Sequence, residues 1–103
     1  MNLTQEDWAE QLQNDNNAVI LDVRTPEEWE EGIIPDAKMI DIYTGPEFLH
    51  SIESLDKSKN YYVYCKAGGR SRQACDIMNQ MGIENTYNLL GGMSQWQGER
   101  TMP

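Results

Sequence analysis

Cys65 is the residue of this chain best placed to do chemistry. It follows the run Tyr61-Tyr62-Val63-Tyr64 and precedes Lys66-Ala67-Gly68-Gly69-Arg70-Ser71. The first segment has the β-branched and aromatic composition of a strand and a helix pattern begins at Ser71, so the cysteine stands where a strand turns into a helix. In open parallel sheets, ligands gather beyond the carboxyl ends of strands, where unpaired N–H groups of the next helix face them. Gly68 and Gly69 allow a backbone nest whose successive amides point inward at an anion. A free thiol, with pKa near ~8.5, is mostly protonated at neutral pH and becomes a nucleophile only when its anion is stabilised. A helix N-terminus contributes about 0.3–1 kcal/mol, rising to about 2 when partly buried, and one pKa unit corresponds to about 1.4 kcal/mol. The helix therefore supplies about one unit, and the loop amides with the charges of Lys66 and Arg70 are expected to supply any further shift.

The alternatives at this loop are weaker. A buried core cysteine is the commoner fate of the residue, but burial here would strand Lys66, Arg70 and several amides. The spacing is not that of a Walker phosphate loop, because no Gly-Lys-Ser/Thr ending follows. Cys75 falls with Ala74 and Met78 on the inner face of the next helix and is expected to be a buried structural thiol. No Cys/His cluster with metal spacing surrounds the single histidine, His50, so neither a metal nor an organic cofactor is expected. Glu27, Glu28, Glu30 and Glu31 lack a second ligand cluster and read as solvated acids at the positive end of a helix.

These residues need elements to hold them. Thr4 caps a short helix carrying Trp8 and Leu12 that ends near Asn14. Residues 18–23 form a continuous apolar run, as in a strand buried on both faces of a parallel sheet. Thr25-Pro26-Glu27-Glu28 combines an N-cap, a proline at the first helical position and a capping-box glutamate. A second strand is predicted over 37–42, a helix over 46–55, a third strand over 61–64, a helix over 71–81, a fourth strand over 86–90, and a last helix from Gly91-Gly92 through Trp96. Alternating strands and helices predict one α/β domain over residues 1–103 around a mainly parallel sheet flanked by helices on both faces.

The chain has 17 acidic and eight basic residues, a net charge of -9. That excludes nucleic acid and anionic membranes as main partners, because both select basic surfaces. Nine acids and only Arg24 lie in residues 1–31, whereas residues 66–72 hold Lys66, Arg70 and Arg72 and no acid. A cationic spot on an acidic chain predicts a small anionic ligand there. No apolar run approaches the roughly 20 residues of a membrane span, and the N-terminus lacks the basic and apolar regions of a signal peptide. A cytoplasmic, monomeric protein is expected.

Three segments together resemble a known family. Cys65 to Ser71 matches the rhodanese active-site pattern Cys-x-x-Gly-x-Arg-Ser, Leu21-Asp22-Val23-Arg24 with Glu28 resembles its Asp-Val-Arg motif, and Leu90-Gly91-Gly92-x-x-x-Trp96 resembles its C-terminal signature. The resemblance implies a rhodanese-like fold and a sulfurtransferase that carries sulfane sulfur as a persulfide on Cys65, within a loop whose residues Lys66, Ala67, Gly68, Gly69, Arg70 and Ser71 bind the substrate. A small anionic donor such as thiosulfate, and cyanide or a thiol as acceptor, would be its partners. Asp22 and Arg24 are assigned a structural role and Trp96 a place in the core. Ile33-Ile34-Pro35-Asp36-Ala37 departs from the family's His-Ile-Pro-Gly-Ala, a difference expected to alter local packing and the turn there rather than catalysis. Two rival functions remain. Cysteine phosphatases and arsenate reductases use a similar Cys-to-Arg loop, but with one residue more than the four here. A non-catalytic docking module, or a relay passing sulfur to a partner protein against the acidic face of residues 1–31, is the other.

Overall fold

Five strands form one all-parallel sheet: β1 (Asn2–Leu3), β2 (Ala18–Asp22), β3 (Lys38–Met39), β4 (Asn60–Tyr64) and β5 (Thr86–Leu89). The computed structural model describes residues 1–103, and its strand order is β1-β5-β4-β2-β3. The helices are α1 (Gln5–Gln13), α2 (Pro26–Trp29), α3 (Pro46–Glu53), α4 (Gly69–Gln80) and α5 (Gly92–Gln95). The expected α/β architecture is therefore present, with helices on both faces. None of them is long and apolar enough to cross a membrane.

The period-two alternation of β4 divides the interior. Tyr61, Val63 and Cys65 face one way, toward Phe48 and Ile52 of α3 and Ala74, Cys75 and Met78 of α4. Tyr62 and Tyr64 face the other way and pack with Trp8 of α1, Leu89 of β5 and Met93 of α5. Trp8 is fully buried, meets Tyr62 and Trp96 edge-on at centroid distances of 5.7 and 5.5 Å, and donates its indole N–H to the Tyr87 carbonyl at 3.1 Å. Such edge-to-face pairs add about 0.5–1.5 kcal/mol each beyond area burial. Trp96 accordingly belongs to this packing, as expected, although it is only half-buried. Cys75 is buried against α4's neighbours, and burial pushes its thiol up to about 11, the behaviour of an inert structural cysteine.

Several boundaries differ from the sequence reading. β1 was not predicted: two residues carry no periodicity, and Asn2 and Leu3 become a strand only because Asn88 and Leu89 lie beside them. The strand expected over 37–42 is reduced to Lys38–Met39, since Asp41 caps a short 3₁₀ turn at Ile42–Thr44. Backbone bonds from Ile40 to Asp22 and from Ile42 to Val23 still tie that segment to β2. Helix α4 starts two residues earlier than expected, at Gly69. The capping box at α2 forms as read, with Thr25 Oγ1 accepting from the Glu28 amide and the Thr25 amide donating to Glu28 Oε1. In the segment that departs from the family pattern, Asp36 adopts φ 69°, a left-handed conformation that glycine takes more easily.

Asp22 and Arg24 form the buried ion pair that anchors the turn after β2. Arg24 Nε and Nη2 donate to the Asp22 carboxylate at 3.0 and 2.7 Å, the Arg24 amide donates to the same carboxylate at 3.0 Å, and Nη2 also reaches the Gly32 carbonyl at 2.7 Å. Asp22 is 0 % exposed and Arg24 3 %. Removing one member of a buried pair leaves an uncompensated charge, at a cost of about 3–5 kcal/mol. Asp22→Ala should therefore lower the free energy of unfolding by about that amount, read as a reduced urea midpoint at unchanged slope. A loss below about 1 kcal/mol, the range of exposed pairs, would show that the pair does not anchor the turn.

Candidate active site

The last residue of β4 hands the chain to Cys65 at a point held from two sides. The Val23 amide closes the ladder on the Tyr64 carbonyl at 3.1 Å. The carbonyls of Cys65 and Lys66 then accept from the amides of Met93 and Ser94 in α5, both at 2.9 Å. This contact requires Gly92: a Cβ there would lie 2.5 Å from the Cys65 carbonyl oxygen and 2.6 Å from the Lys66 carbonyl carbon. The glycine pair before Trp96 thus lets α5 brace the backbone of the cysteine.

Gly68 turns the loop in the left-handed region, φ 107°, and α4 begins immediately after it, with the Arg72 amide bonded to the Gly68 carbonyl at 3.1 Å. The result is a cradle around the thiol. Gly68 N–H donates to Cys65 Sγ at 3.1 Å and the Ser71 hydroxyl lies 3.3 Å from it. Cys65 is only 2 % exposed, so the expectation that burial would strand Lys66 and Arg70 fails: Lys66 stays exposed and Arg70 is paired with Glu28. Burial pushes its thiol up, but the Ser71 hydroxyl and the amides of Ser71, Gly68 and Ala67 outweigh burial and hold it below the ordinary cysteine value. Hydrogen bonding to the charged form thus dominates desolvation.

Ser71 carries one hydroxyl proton and has three acceptors within reach: Cys65 Sγ, the Gly68 carbonyl at 3.2 Å and the Asn88 side-chain oxygen. Asn88, on β5, donates in turn to Asn2 Oδ1 at 2.9 Å and to the Gly68 carbonyl at 3.2 Å. The proton turns toward sulfur when the sulfur is charged, because charge-assisted bonds are about twice as strong as neutral ones, and can return to Asn88 when it is not.

The two loop cations do not converge on the sulfur as the sequence suggested. Arg70 forks onto Glu28, Nη1 to Oε1 at 2.6 Å and Nη2 to Oε2 at 2.8 Å, with its Cζ 5.6 Å from the centre of the Tyr43 ring. Hydrogen bonding to Arg70 lowers the Glu28 carboxyl to about 2, and the same bonds raise Arg70, with a smaller contribution from the charge of Cys65. Glu28 therefore remains ionised and engaged throughout the neutral range. Lys66 is exposed, makes no hydrogen bond to the loop and lines a small cleft with Arg24 and Arg100. Its expected contribution to the thiolate is supplied instead by Ser71 and the amides. Ala67 and Gly69 are exposed, and Gly68 and Ser71 are buried.

Sequence reasoning placed Glu28 in a capping box and beside the Asp-Val-Arg motif but not against Arg70, and overlooked Tyr43 and Asn88. For Asn88 a signal existed: asparagine is depleted in strands, so one inside Thr86-Tyr87-Asn88-Leu89 marks a buried polar task. Tyr43 offered none. The largest cavity, a 760 Å³ groove bordered by Leu12, Ile20, Ile34 and Trp96, includes none of residues 65–71.

Comparison with known proteins agrees with this geometry. The rhodanese-like domain profile matches residues 5–99. YtwF of Bacillus subtilis, whose name assigns it provisionally as a sulfurtransferase, is 39 % identical over 90 residues, covering 87 % of this chain and 84 % of that protein. A protein of Allochromatium vinosum named sulfurtransferase is 33 % identical over 91 residues, covering 88 % and 82 %. The crystal structure of a rhodanese-like domain protein from Staphylococcus aureus matches with a TM-score of 0.83 at 33 % identity, over 99 % of this chain and 97 % of the other. With the profile running through all three motifs and the fold shared almost from end to end, the chain belongs to the rhodanese-like domain family.

Proposed function

We propose that this protein is a sulfurtransferase that carries sulfane sulfur as a persulfide on Cys65. The observation that carries the reading is the cradle itself: a nearly buried thiol whose anion is held by the Gly68 amide, neighbouring loop amides and the Ser71 hydroxyl. The names of the relatives support the general class, and the reaction partners are inferred from chemistry. In the first step the Cys65 thiolate attacks the outer sulfur of thiosulfate; a new S–S bond forms, the bond to the oxidised sulfur breaks, and sulfite leaves with the electron pair. In the second, cyanide or a thiolate attacks the outer persulfide sulfur and the electron pair returns to Cys65. Charge is conserved in each step, and neither requires a metal or organic cofactor. The loop amides and Ser71 stabilise the anion before attack and after transfer.

The Glu28 clamp bears on the donor. Arg70 offers a planar fork suited to an oxyanion, but Glu28 already occupies both prongs. A thiosulfate oxyanion must compete with that carboxylate, which disfavours the dianion relative to donors with less charge, such as the persulfide of a small thiol or of a relay protein.

Incubation with thiosulfate should add the mass of one sulfur atom to the protein, removable by cyanide. Cys65→Ser should stay folded and gain nothing, whereas Cys75→Ala should charge normally; turnover of thiosulfate and cyanide by Cys65→Ser would end the proposal. Alkylation of Cys65 followed against pH should inflect below the free-thiol value, because the folded protein favours the thiolate. Ser71→Ala should move the inflection upward and slow alkylation at neutral pH, and an unmoved inflection would mean that the hydroxyl proton stays on Asn88. Glu28→Gln keeps a capping side chain but frees Arg70, so the KM for thiosulfate should fall severalfold with little change in the urea midpoint. An unchanged or higher KM would remove the clamp from donor selection.

A further inference from the structure

On the face of the sheet opposite the Cys65 thiol, a cleft of about 110 Å³ opens between the turn after β2, the start of the catalytic loop, and α5 with the segment that follows it. It is far smaller than the roughly 300–1,000 Å³ of sites for cofactor-sized ligands, yet several times the about 30 Å³ that a water takes in the liquid. Lys66, Arg24 and Arg100 line it, with Glu31, Gly32 and Ser94. Three of the chain's eight bases thus meet at one small opening of a protein with 17 acids.

Despite that surplus of acid, the only ion pairs within 4 Å are Asp22–Arg24 and Glu28–Arg70. Lys66 and Arg100 have no carboxylate partner, and Glu31, in the same cleft, reaches neither. An exposed lysine without a partner is ordinary, since surface pairs contribute little. The two arginines are different, because both are fixed in advance. Arg24 is 3 % exposed, and Asp22 and Gly32 take its Nε and Nη2. Its Nη1 has no protein acceptor, and Arg24 is one of the residues that line the cleft. Arg100 is held through Nη2 by the carbonyls of Met93 at 2.7 Å and Trp96 at 2.9 Å, which leaves Nη1 and Nε without acceptors. Two guanidinium groups already hydrogen-bonded to the protein, with the exposed Lys66 ammonium beside them, form a donor set partly organised before binding.

We infer that this cleft is a second anion site, separate from the persulfide cradle, that binds a small free oxyanion of the sulfate or phosphate type through Arg24 Nη1, Arg100 and Lys66. The inference does not depend on the persulfide reading. Lys66 and Cys65 part at this point: the thiol packs on the α4 side, and the lysine lines the cleft with Met93 and Ser94 of α5. The cleft wall is bonded to the catalytic segment through the Met93 and Ser94 amides, so an occupant sits directly behind the Cys65–Lys66 backbone.

Titration of the reduced protein with sulfate and with phosphate, at constant ionic strength set by chloride, tests this through amide chemical shifts. The expected result is saturable movement centred on Gly32, Lys66 and Ser94, reproduced in Cys65→Ser, with acetate far weaker. Arg100→Gln should weaken binding at least severalfold, and Glu31→Gln, an exposed change with no hydrogen-bond partner to lose, should tighten it. Should Arg100→Gln fail to fold, the Glu31→Gln comparison decides alone. Shifts that never saturate, that centre on Gly68 and Ser71, or that ignore the Glu31 substitution would overturn the site. Because Cys65→Ser cannot carry sulfur, its binding result stands apart from the sulfurtransferase assays.

Discussion

Keeping the Cys65 sulfur almost out of water while still favouring its anion is the constraint around which the rest of this structure is arranged. Burial alone disfavours the thiolate, so every group near Cys65 must oppose desolvation, and the helix contribution of about one pKa unit at best is too small to do so by itself. Directed hydrogen bonds make up the difference. They come from the loop amides and from Ser71, whose hydroxyl is shared with Asn88 on β5. Asn88 is in turn fixed by Asn2 on β1. The polarity of one sulfur is thus supported across three parallel strands, and the short edge strand has a role despite its two residues.

The sheet supplies rigidity to that arrangement. β4 lies between β2 and β5, and its alternation places Cys65 on the α3/α4 side while Tyr62 and Tyr64 fill the α1/α5 side. Its end is tied on each side, by Val23 at the ladder and by α5 through the close approach that Gly92 permits. A cradle built on such fixed backbone holds its amides toward the sulfur in advance, so favouring the anion needs little reorganisation.

Electrostatics in this acid-rich chain are local. Arg24 is absorbed by Asp22 as an anchor, Arg70 is clamped by Glu28 beside Tyr43, and Lys66 faces the opposite side of the sheet with Arg100. None of these cations is a simple counter-ion to the Cys65 sulfur. The carboxylate that engages Arg70 is the same one that completes the capping box at the start of α2.

The sequence by itself determined the alternation of strands and helices, the parallel sheet, the capping box at Thr25–Glu28 and the position of Cys65 at a strand end, because each rests on local periodicity or on a motif with its own stereochemistry. It also distinguished Cys75 from Cys65, since helical spacing alone puts Cys75 on a buried face. What only the tertiary structure decided were relations between distant segments: the pairing of Asn2–Leu3 with β5, the shortening of the strand at Lys38–Met39, and the sharing of the Ser71 proton with Asn88. The destination of each cation belongs to the same class. The sequence shows that Lys66 and Arg70 are neighbours along the chain, but where each side chain ends is decided by what folding brings within reach: Glu28 from α2 pairs with Arg70, whereas Lys66 opens into a cleft that Arg24 and Arg100 also line.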